Sequence, residues 1–203
     1  MRKWLFLREV AMQVFDDWID HDRLLNLRSW ILGQSLIHGW RAHENAPGTF
    51  WHRNYVLPGS HKHHYDPGAW HPHLTLDQLL KTSTPLTDIA NLIQNQFFGK
   101  SEITRVWVNV QSFGDESAFH RDFPVEFMGT ARSVILYVVD QWKNDWGGDL
   151  VVLDEAGEIE SAAMVKPGRV VSLNGCKRHA VRPISRYCNA LRIALVFGAE
   201  VSR

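Results

Sequence analysis

Cysteine is scarce in this sequence, and no apolar stretch is long. The 203 residues include two cysteines, Cys176 and Cys188, which form no CxxC pair, so a zinc site built on thiolates is not expected. Few, unpaired cysteines are typical of reduced thiols in the cytosol, and we expect a cytoplasmic protein. The apolar run at residues 4–7 is too short for a signal peptide or a membrane span.

A charge imbalance is absent as well. The chain has 22 Lys and Arg against 22 Asp and Glu, so its formal net charge is +0, which argues against nucleic acid as a partner. No glycine-rich phosphate loop and no nucleophile elbow is present. Tryptophan is frequent instead, with 9 residues, and tryptophan lines pockets as well as cores.

The spacing of apolar residues gives the first half of the chain a helical character. Between residues 4 and 37 it predicts two helices, one carrying Val10, Val14 and Trp18 and the other Leu24, Leu27 and Ile31. Helical spacing returns over residues 74–98, where Thr75 is predicted to cap one helix and Thr87 the next. The length fits a single domain over residues 1–203.

Residues 41–73 differ from their surroundings, since they combine many prolines and glycines with most of the histidines. This composition predicts a loop, and its large aromatic residues argue against disorder. We interpret the segment as a folded lid, with Trp51 and His52 as candidate substrate contacts. The histidines at 61–64 and 71–73 could bind a metal, but they lack regularly spaced acidic or thiolate partners.

From residue 103 onward the sequence has short runs rich in β-branched and aromatic residues, separated by glycine-containing turns. The predicted strands are 103–110, 133–139, 150–153, 159–165, 169–173, 179–181 and 191–197. So many short strands predict a mainly β fold, a jelly-roll sandwich or barrel. Residues 1–100 would supply helices packed outside and the lid, and residues 101–203 the β core.

His120 and Asp122 form the first candidate for chemistry. On an extended chain residues two apart point to the same side, so both can bind one metal while Arg121 points away. A third ligand would complete a facial triad that leaves positions open on Fe(II). His179 is the candidate, because His120 and His179 are the only histidines of the second half.

Arg192 opens the last apolar strand. A guanidinium there is costly to bury unless it meets an anion, and it suits a carboxylate held by two hydrogen bonds. The diacid 2-oxoglutarate needs one such anchor for its far carboxylate. Arg182 and Arg186 remain rival anchors.

In combination, these motifs resemble the prolyl 4-hydroxylase-like family of Fe(II)/2-oxoglutarate-dependent oxygenases. The resemblance covers about half of the chain, and its matching segments are 119–122 (FHRD), 136–142 (LYVVDQW), 145–150 (DWGGDL), 166–171 (KPGRVV), 179–183 (HAVRP) and 192–195 (RIAL). It implies a double-stranded β-helix, a distorted jelly roll of cupin type. It also implies Fe(II) and O₂ as cofactor and oxidant, and stimulation by ascorbate.

Carried over by position, the resemblance makes His120, Asp122 and His179 the iron ligands, and Arg192 and Tyr137 the 2-oxoglutarate contacts. Asn109 stands where several relatives have a tyrosine, so we expect it near the co-substrate. Gln111 lies on the same side of that strand and, with Trp51, His52 and Arg121, is a candidate substrate contact.

The resemblance further implies hydroxylation, or another oxidation, of an aliphatic C–H bond with release of succinate and CO₂. Asp122 fills the position that halogenating relatives vacate for chloride, which favours hydroxylation. We expect an amino-acid-like small molecule or a natural-product intermediate as substrate. The alternatives are a peptidyl, prolyl-type hydroxylase acting on a protein, and a non-catalytic cupin-like binding module. Arg192 with Tyr137 argues against the module, because a plain metal binder needs no diacid pocket.

Overall fold

The computed structural model describes residues 11–41, 46, 50–57 and 74–200. Its strands are β1 (Met12–Phe15), β2 (Ile37–His38), β3 (Trp51–Val56), β4 (Arg105–Gln111), β5 (Ala131–Tyr137), β6 (Leu150–Leu153), β7 (Ile159–Ala163), β8 (Val170–Asn174), β9 (His179–Val181) and β10 (Arg192–Glu200). Its helices are α1 (His21–Leu32), α2 (Leu76–Leu80) and α3 (Pro85–Ile93), the last continued by a π-helical turn, Gln94–Phe98.

The strands form two antiparallel sheets that face each other as in a jelly roll. The major sheet is 7-stranded in the order β1-β8-β5-β10-β4-β3-β2, and the minor sheet is 3-stranded in the order β7-β6-β9. Central strands of the major sheet are buried on both faces, which explains why β5, β8 and β10 are almost continuously apolar. The expected double-stranded β-helix is confirmed.

Alternation along the central strands separates two cores. On one face of the major sheet, Val108, Leu136 and Leu195 pack against the helices, with Leu27 of α1 and Ile89 of α3 among their neighbours. On the other face, residues two apart along the same strands pack against the minor sheet, among them Trp107, Ile135, Tyr137, Ala194 and Val196. This second face also carries the cavity described below.

The predicted helices are partly confirmed. The second N-terminal helix is α1, and it buries the expected Leu24, Leu27 and Ile31. Thr75 caps α2 through a capping box with Gln78. The cap of α3 is Thr84 and not Thr87, because Pro85 occupies the first helical turn, where its missing N–H costs nothing.

Two predictions for the first hundred residues are wrong. Met12–Phe15 is a strand and not part of a helix, because hydrogen bonds to β8 decide its conformation and local spacing does not reveal them. β3 lies inside the segment predicted as a lid and pairs with β4. The histidines at 61–64 and 71–73 lie outside the described residues, as do residues 1–10. None of the described helices is long and apolar enough to cross a membrane.

An ion pair connects the end of β1, the edge strand of the major sheet, to the residue that precedes the neighbouring strand β8. Asp16, directly after β1, accepts hydrogen bonds from Arg169 Nε at 2.5 Å and from a terminal guanidinium nitrogen of Arg169 at 2.9 Å, and Lys166 Nζ lies 3.2 Å away. The hydrogen bonds from Arg169 lower the pKa of Asp16 from 3.8 to about 2.

We expect Asp16→Asn to lower the free energy of unfolding by about 1 kcal/mol or less at pH 7, because the carboxylate is partly exposed and screened by solvent. A folded-state pKa below the unfolded one gives stability that is complete above about pH 4 and lost as the pH falls towards 2. Urea denaturation at several pH values measures this. The control is Asp17→Asn, which changes a neighbour with no described ion pair. An equal effect of both variants would contradict the role of the ion pair.

Candidate active site

A cavity opens between the two sheets. Its polar lining consists of Asn109, Ser117, His120, Asp122, His179 and Arg192, and its apolar lining of Trp40, Phe50, Trp107, Ile135, Leu150, Val181, Ala194 and Val196. The predicted iron ligands and the predicted co-substrate anchor therefore share one space.

His120, Asp122 and His179 converge on one point of this cavity. One ligand atom of each lies within 4.8 Å of the others. Nε2 of His120 is 3.6 Å from Asp122 Oδ1, and Nε2 of His179 is 3.6 Å from Asp122 Oδ2. Two imidazole nitrogens and one carboxylate on one side of a point are the donor set of a non-haem Fe(II) facial triad, so these residues fit Fe(II).

Backbone pairing brings the three residues together. His120 and His179 form an isolated antiparallel bridge, with N–H···O distances of 3.0 and 2.9 Å in the two directions. Asp122 follows in the same segment, where its N–H and that of Phe123 both donate to the carbonyl of Gly175, at 2.9 and 3.1 Å. The segment that contains His120 and Asp122 is thus held by backbone hydrogen bonds to the turn before β9 and to the first residue of β9.

The outer ring nitrogens of the two histidines are already engaged. His120 Nδ1 lies 2.9 Å from the carbonyl oxygen of Ala118, and His179 Nδ1 lies 2.9 Å from that of Lys177. A carbonyl only accepts, so each Nδ1 carries the proton and each Nε2 keeps its lone pair for a metal. Such contacts orient metal-binding histidines and fix their tautomer.

The charges of the cluster suit metal binding. Burial, with the neighbouring His179, lowers the pKa of His120 to about 4, so this ligand is neutral at pH 7. Burial alone would raise the pKa of Asp122, but His179 and His120 outweigh it and hold that pKa below its usual range. Burial would lower the pKa of His179, and Asp122 raises it instead. Asp122 therefore supplies a negative charge at the point where a cation would bind, and that cation would compete with a proton for Nε2 of His179.

Arg192 lies deep in the same cavity, and its side chain is held from several sides. The residue is 1% exposed; its Nε donates to the carbonyl of Gly148 at 2.8 Å, and one terminal nitrogen donates to Gln111 Oε1 at 2.6 Å. The guanidinium lies 5.0 Å from the ring centre of Tyr137. Position 148 must be glycine, because a Cβ there would come within 3.0 Å of Arg192 Cδ at a positive φ of +73°.

Several buried polar atoms around Arg192 are unsatisfied. Within the described part of the chain, no carboxylate lies within 4 Å of its guanidinium. The Tyr137 hydroxyl, Gln111 Nε2 and Asn109 Oδ1 are buried without a hydrogen-bond partner there. Buried polar groups are normally paired, so this end of the cavity is chemically incomplete and fits a bound carboxylate.

The other candidates from the sequence lie farther from the cavity. Trp51 is 47% exposed and packs on His38; its strand partner Val110 belongs to the helix-side core, so Trp51 is on the wrong face for substrate. His52 is completely buried and pairs with Asn109, on the cavity side of β3. Arg121, Arg182 and Arg186 are exposed, unlike Arg192.

Sequence reasoning missed Trp40, which forms part of the cavity wall. Its ring stacks on Phe50 at 4.8 Å and meets the ring of His120 edge-on at 5.4 Å. No motif marks such a residue; the abundance of tryptophan was the only signal in the sequence. Trp40 is placed by the pairing of β2 with β3, since its N–H donates to the carbonyl of Phe50 at 3.3 Å.

We expect His120→Ala and His179→Ala each to abolish tight Fe(II) binding, because the two remaining ligands cannot complete a facial site. Anaerobic titration should raise the thermal midpoint of the wild-type protein and leave both variants unchanged. His38→Ala, which removes an exposed histidine outside the cavity, should respond like the wild type. A midpoint that still rises with Fe(II) in both ligand variants would refute the metal site.

Residues 106–197 match the family model of the 2OG-Fe(II) oxygenase superfamily. Solved structures share the fold at low sequence identity. A prolyl-4-hydroxylase from Pseudomonas putida is 20% identical with a TM-score of 0.61, and the match covers 97% of this chain and 96% of that one. HygX from Streptomyces hygroscopicus, with nickel and 2-oxoglutarate bound, is 12% identical with a TM-score of 0.57, over 95% and 84%.

A prolyl hydroxylase from Trichoplax adhaerens, in complex with a hypoxia inducible factor peptide fragment, is 15% identical with a TM-score of 0.60, over 96% and 85%. No curated protein matches the sequence significantly. The matched segment contains His120, Asp122 and His179, and these side chains converge as a facial triad, so the chain is an Fe(II)- and 2-oxoglutarate-dependent oxygenase whose residues 106–197 match the 2OG-Fe(II) oxygenase superfamily.

Proposed function

We propose that this oxygenase hydroxylates, or otherwise oxidises, an aliphatic C–H bond of a small natural-product intermediate, with 2-oxoglutarate anchored at Arg192. The observation that carries the proposal is the cavity itself. It joins the metal triad to one buried cation, and its remaining wall is almost entirely apolar. When bound, Fe(II) supplies the redox chemistry by which O₂ converts 2-oxoglutarate to succinate and CO₂ and oxidises the substrate.

The surroundings of Arg192 support it as the co-substrate anchor. Gly148 and Gln111 occupy the Nε and one terminal nitrogen of the guanidinium. The other terminal nitrogen could donate to a carboxylate, and so could the Tyr137 hydroxyl and Gln111 Nε2, which are buried without a further partner in the described residues. Gln111 would then position the guanidinium and contact the co-substrate as well. With its far carboxylate at Arg192, 2-oxoglutarate would extend through the shared cavity towards the triad.

Asn109 is the remaining polar group of the wall near this end. It lines the cavity, and its strand partner on β10 is Ala194, which leaves the space beside it open. A buried amide oxygen without a partner suits a hydroxyl or N–H donor on a bound molecule. We assign Asn109 to the boundary between co-substrate and substrate.

The charges of the cavity wall favour an uncharged natural-product intermediate over an amino-acid-like substrate. In this proposal Asp122 binds the metal and Arg192 binds 2-oxoglutarate. No other charged side chain among the described lining residues could then pair with an ammonium or carboxylate group of the substrate. An amino acid would bring both charges into this apolar space unpaired, which is costly. Trp40, Phe50 and Trp107 instead suit an uncharged, partly apolar group.

A peptidyl hydroxylase is the second candidate, and one observation favours it. Two of the structures that share this fold over nearly the whole chain are prolyl hydroxylases, one of them with a bound peptide fragment. A proline side chain is itself uncharged and would suit the same wall.

Arg192→Ala should raise the KM for 2-oxoglutarate roughly 30- to 150-fold, because losing a charge-assisted contact to a carboxylate costs about 2–3 kcal/mol. The matched control is Arg186→Ala, which removes an exposed arginine a few residues earlier in the chain. The measurement is succinate formation at increasing 2-oxoglutarate concentration. A large effect of Arg186→Ala with none of Arg192→Ala would overturn the anchor.

Substrate class is tested by screening for compounds that stimulate succinate release and are themselves oxidised. We expect uncharged, partly apolar small molecules to give product and succinate in equal amounts, and free amino acids to give little stimulation. Prolyl peptides form the third arm of the screen. Coupled turnover of a peptide, without any active small molecule, would replace the first proposal by the second.

A further inference from the structure

Ser133 is a buried polar residue that neither lines the cavity nor belongs to the triad. It lies in the interior of β5, is 0% exposed, and is paired on its two sides with Gly198 of β10 and Leu173 of β8. A serine is a poor choice there for packing alone, because strand interiors favour β-branched and apolar side chains. We therefore expect its hydroxyl to have a specific hydrogen-bond partner.

That partner is the metal-binding carboxylate. Ser133 Oγ lies 2.6 Å from Asp122 Oδ2, a short distance typical of a hydroxyl that donates to an ionised carboxylate. The two oxygens of Asp122 have different surroundings as a result. Oδ2 accepts the hydrogen bond from Ser133 and lies 3.6 Å from His179 Nε2, whereas Oδ1 has no described hydrogen-bond donor and lies 3.6 Å from His120 Nε2.

We propose that Ser133 is a positioning residue that holds Asp122 as a one-oxygen ligand, with Oδ1 left for the metal. The hydrogen bond withdraws electron density from Oδ2 and fixes the carboxylate plane, so binding through both oxygens is disfavoured. This would matter because a non-haem Fe(II) site needs open positions for the co-substrate and the oxidant, and a carboxylate bound through both oxygens would occupy one of them.

The surrounding backbone keeps the serine and the aspartate at this distance. A Cβ at position 175 would lie 3.0 Å from Ser133 Oγ and 2.6 Å from the Phe123 ring, so only glycine allows so close an approach. The carbonyl of the same Gly175 accepts from the N–H of Asp122, and a terminal nitrogen of Arg105 donates to the Asp122 carbonyl at 2.6 Å. The orientation of the carboxylate is thus set by the fold and not by the metal.

The experiment measures metal binding by the full chain without 2-oxoglutarate, so it depends on the iron site and not on the proposed substrate. Ser133→Ala should weaken Co(II) binding about tenfold, the lower end of what partners of metal ligands contribute. It should also change the visible absorption of bound Co(II), because the freed carboxylate can bind through both oxygens. Ser133→Thr keeps a hydroxyl and should restore both readouts.

Ser172→Ala is the matched control. Ser172 is a buried serine on the neighbouring strand β8, paired with Val134, so its side chain lies on the opposite face of the sheet from Ser133. It should lose stability without changing Co(II) affinity or the spectrum. The proposal fails if Ser133→Ala keeps the wild-type spectrum and affinity, or if Ser172→Ala alters both as strongly. Should Ser133→Thr not fold, as judged by its thermal midpoint, the contrast between the two alanine variants still decides.

Discussion

The antiparallel bridge between His120 and His179 is the contact on which the rest of the site depends. Its two backbone hydrogen bonds fix the distance between two metal ligands that are far apart in the chain. Side chains alternate along paired segments, so a shift by one residue would replace the imidazoles with the guanidinium groups of Arg121 or Arg178. The apolar faces of β5, β10 and the minor sheet prevent that shift, because it would also expose their buried residues.

The second constraint is the buried guanidinium of Arg192, which has no carboxylate partner among the described residues. Arg192 is satisfied only in part, by one carbonyl, one amide oxygen and the face of Tyr137. Such a group opposes folding, since desolvating a charge is expensive. The apolar core on both sides of the major sheet has to offset that cost. A bound diacid would complete the pairing, so the affinity for it and the cost of burying the guanidinium would have the same origin.

Sequence reasoning succeeded where local signals are complete. β6 and β9 have their predicted bounds, because glycine-containing turns bracket short apolar runs. The triad was found because the HxD motif, the two histidines of the second half and the family resemblance all indicated the same three residues. β3 was missed because its buried positions carry His52 and Asn54, which conceal the alternation of a strand.

Contacts between distant segments explain the remaining misses at the site. Trp40 meets His120, and Ser133 meets Asp122, only after the strands have paired. No local sequence pattern predicts either contact, because a single serine in a strand is not part of a recognisable motif. The sequence therefore identified the groups that bind the metal but not the groups that wall or orient them.

The position of β1 at the edge of the major sheet has a consequence for biosynthesis. Met12 pairs with Leu173, 161 positions later in the chain, so β1 leaves the ribosome well before its partner strand. At translation rates of about 5–20 residues per second, that wait is roughly ten to thirty seconds. During this time the unpaired edge of β1 is open to other strands, and such delayed, non-local pairing is slow even after release. The β1 edge, on the far side of the sheet from β2, therefore forms only once β8 has been made, although β10 is added to the centre of the sheet later still.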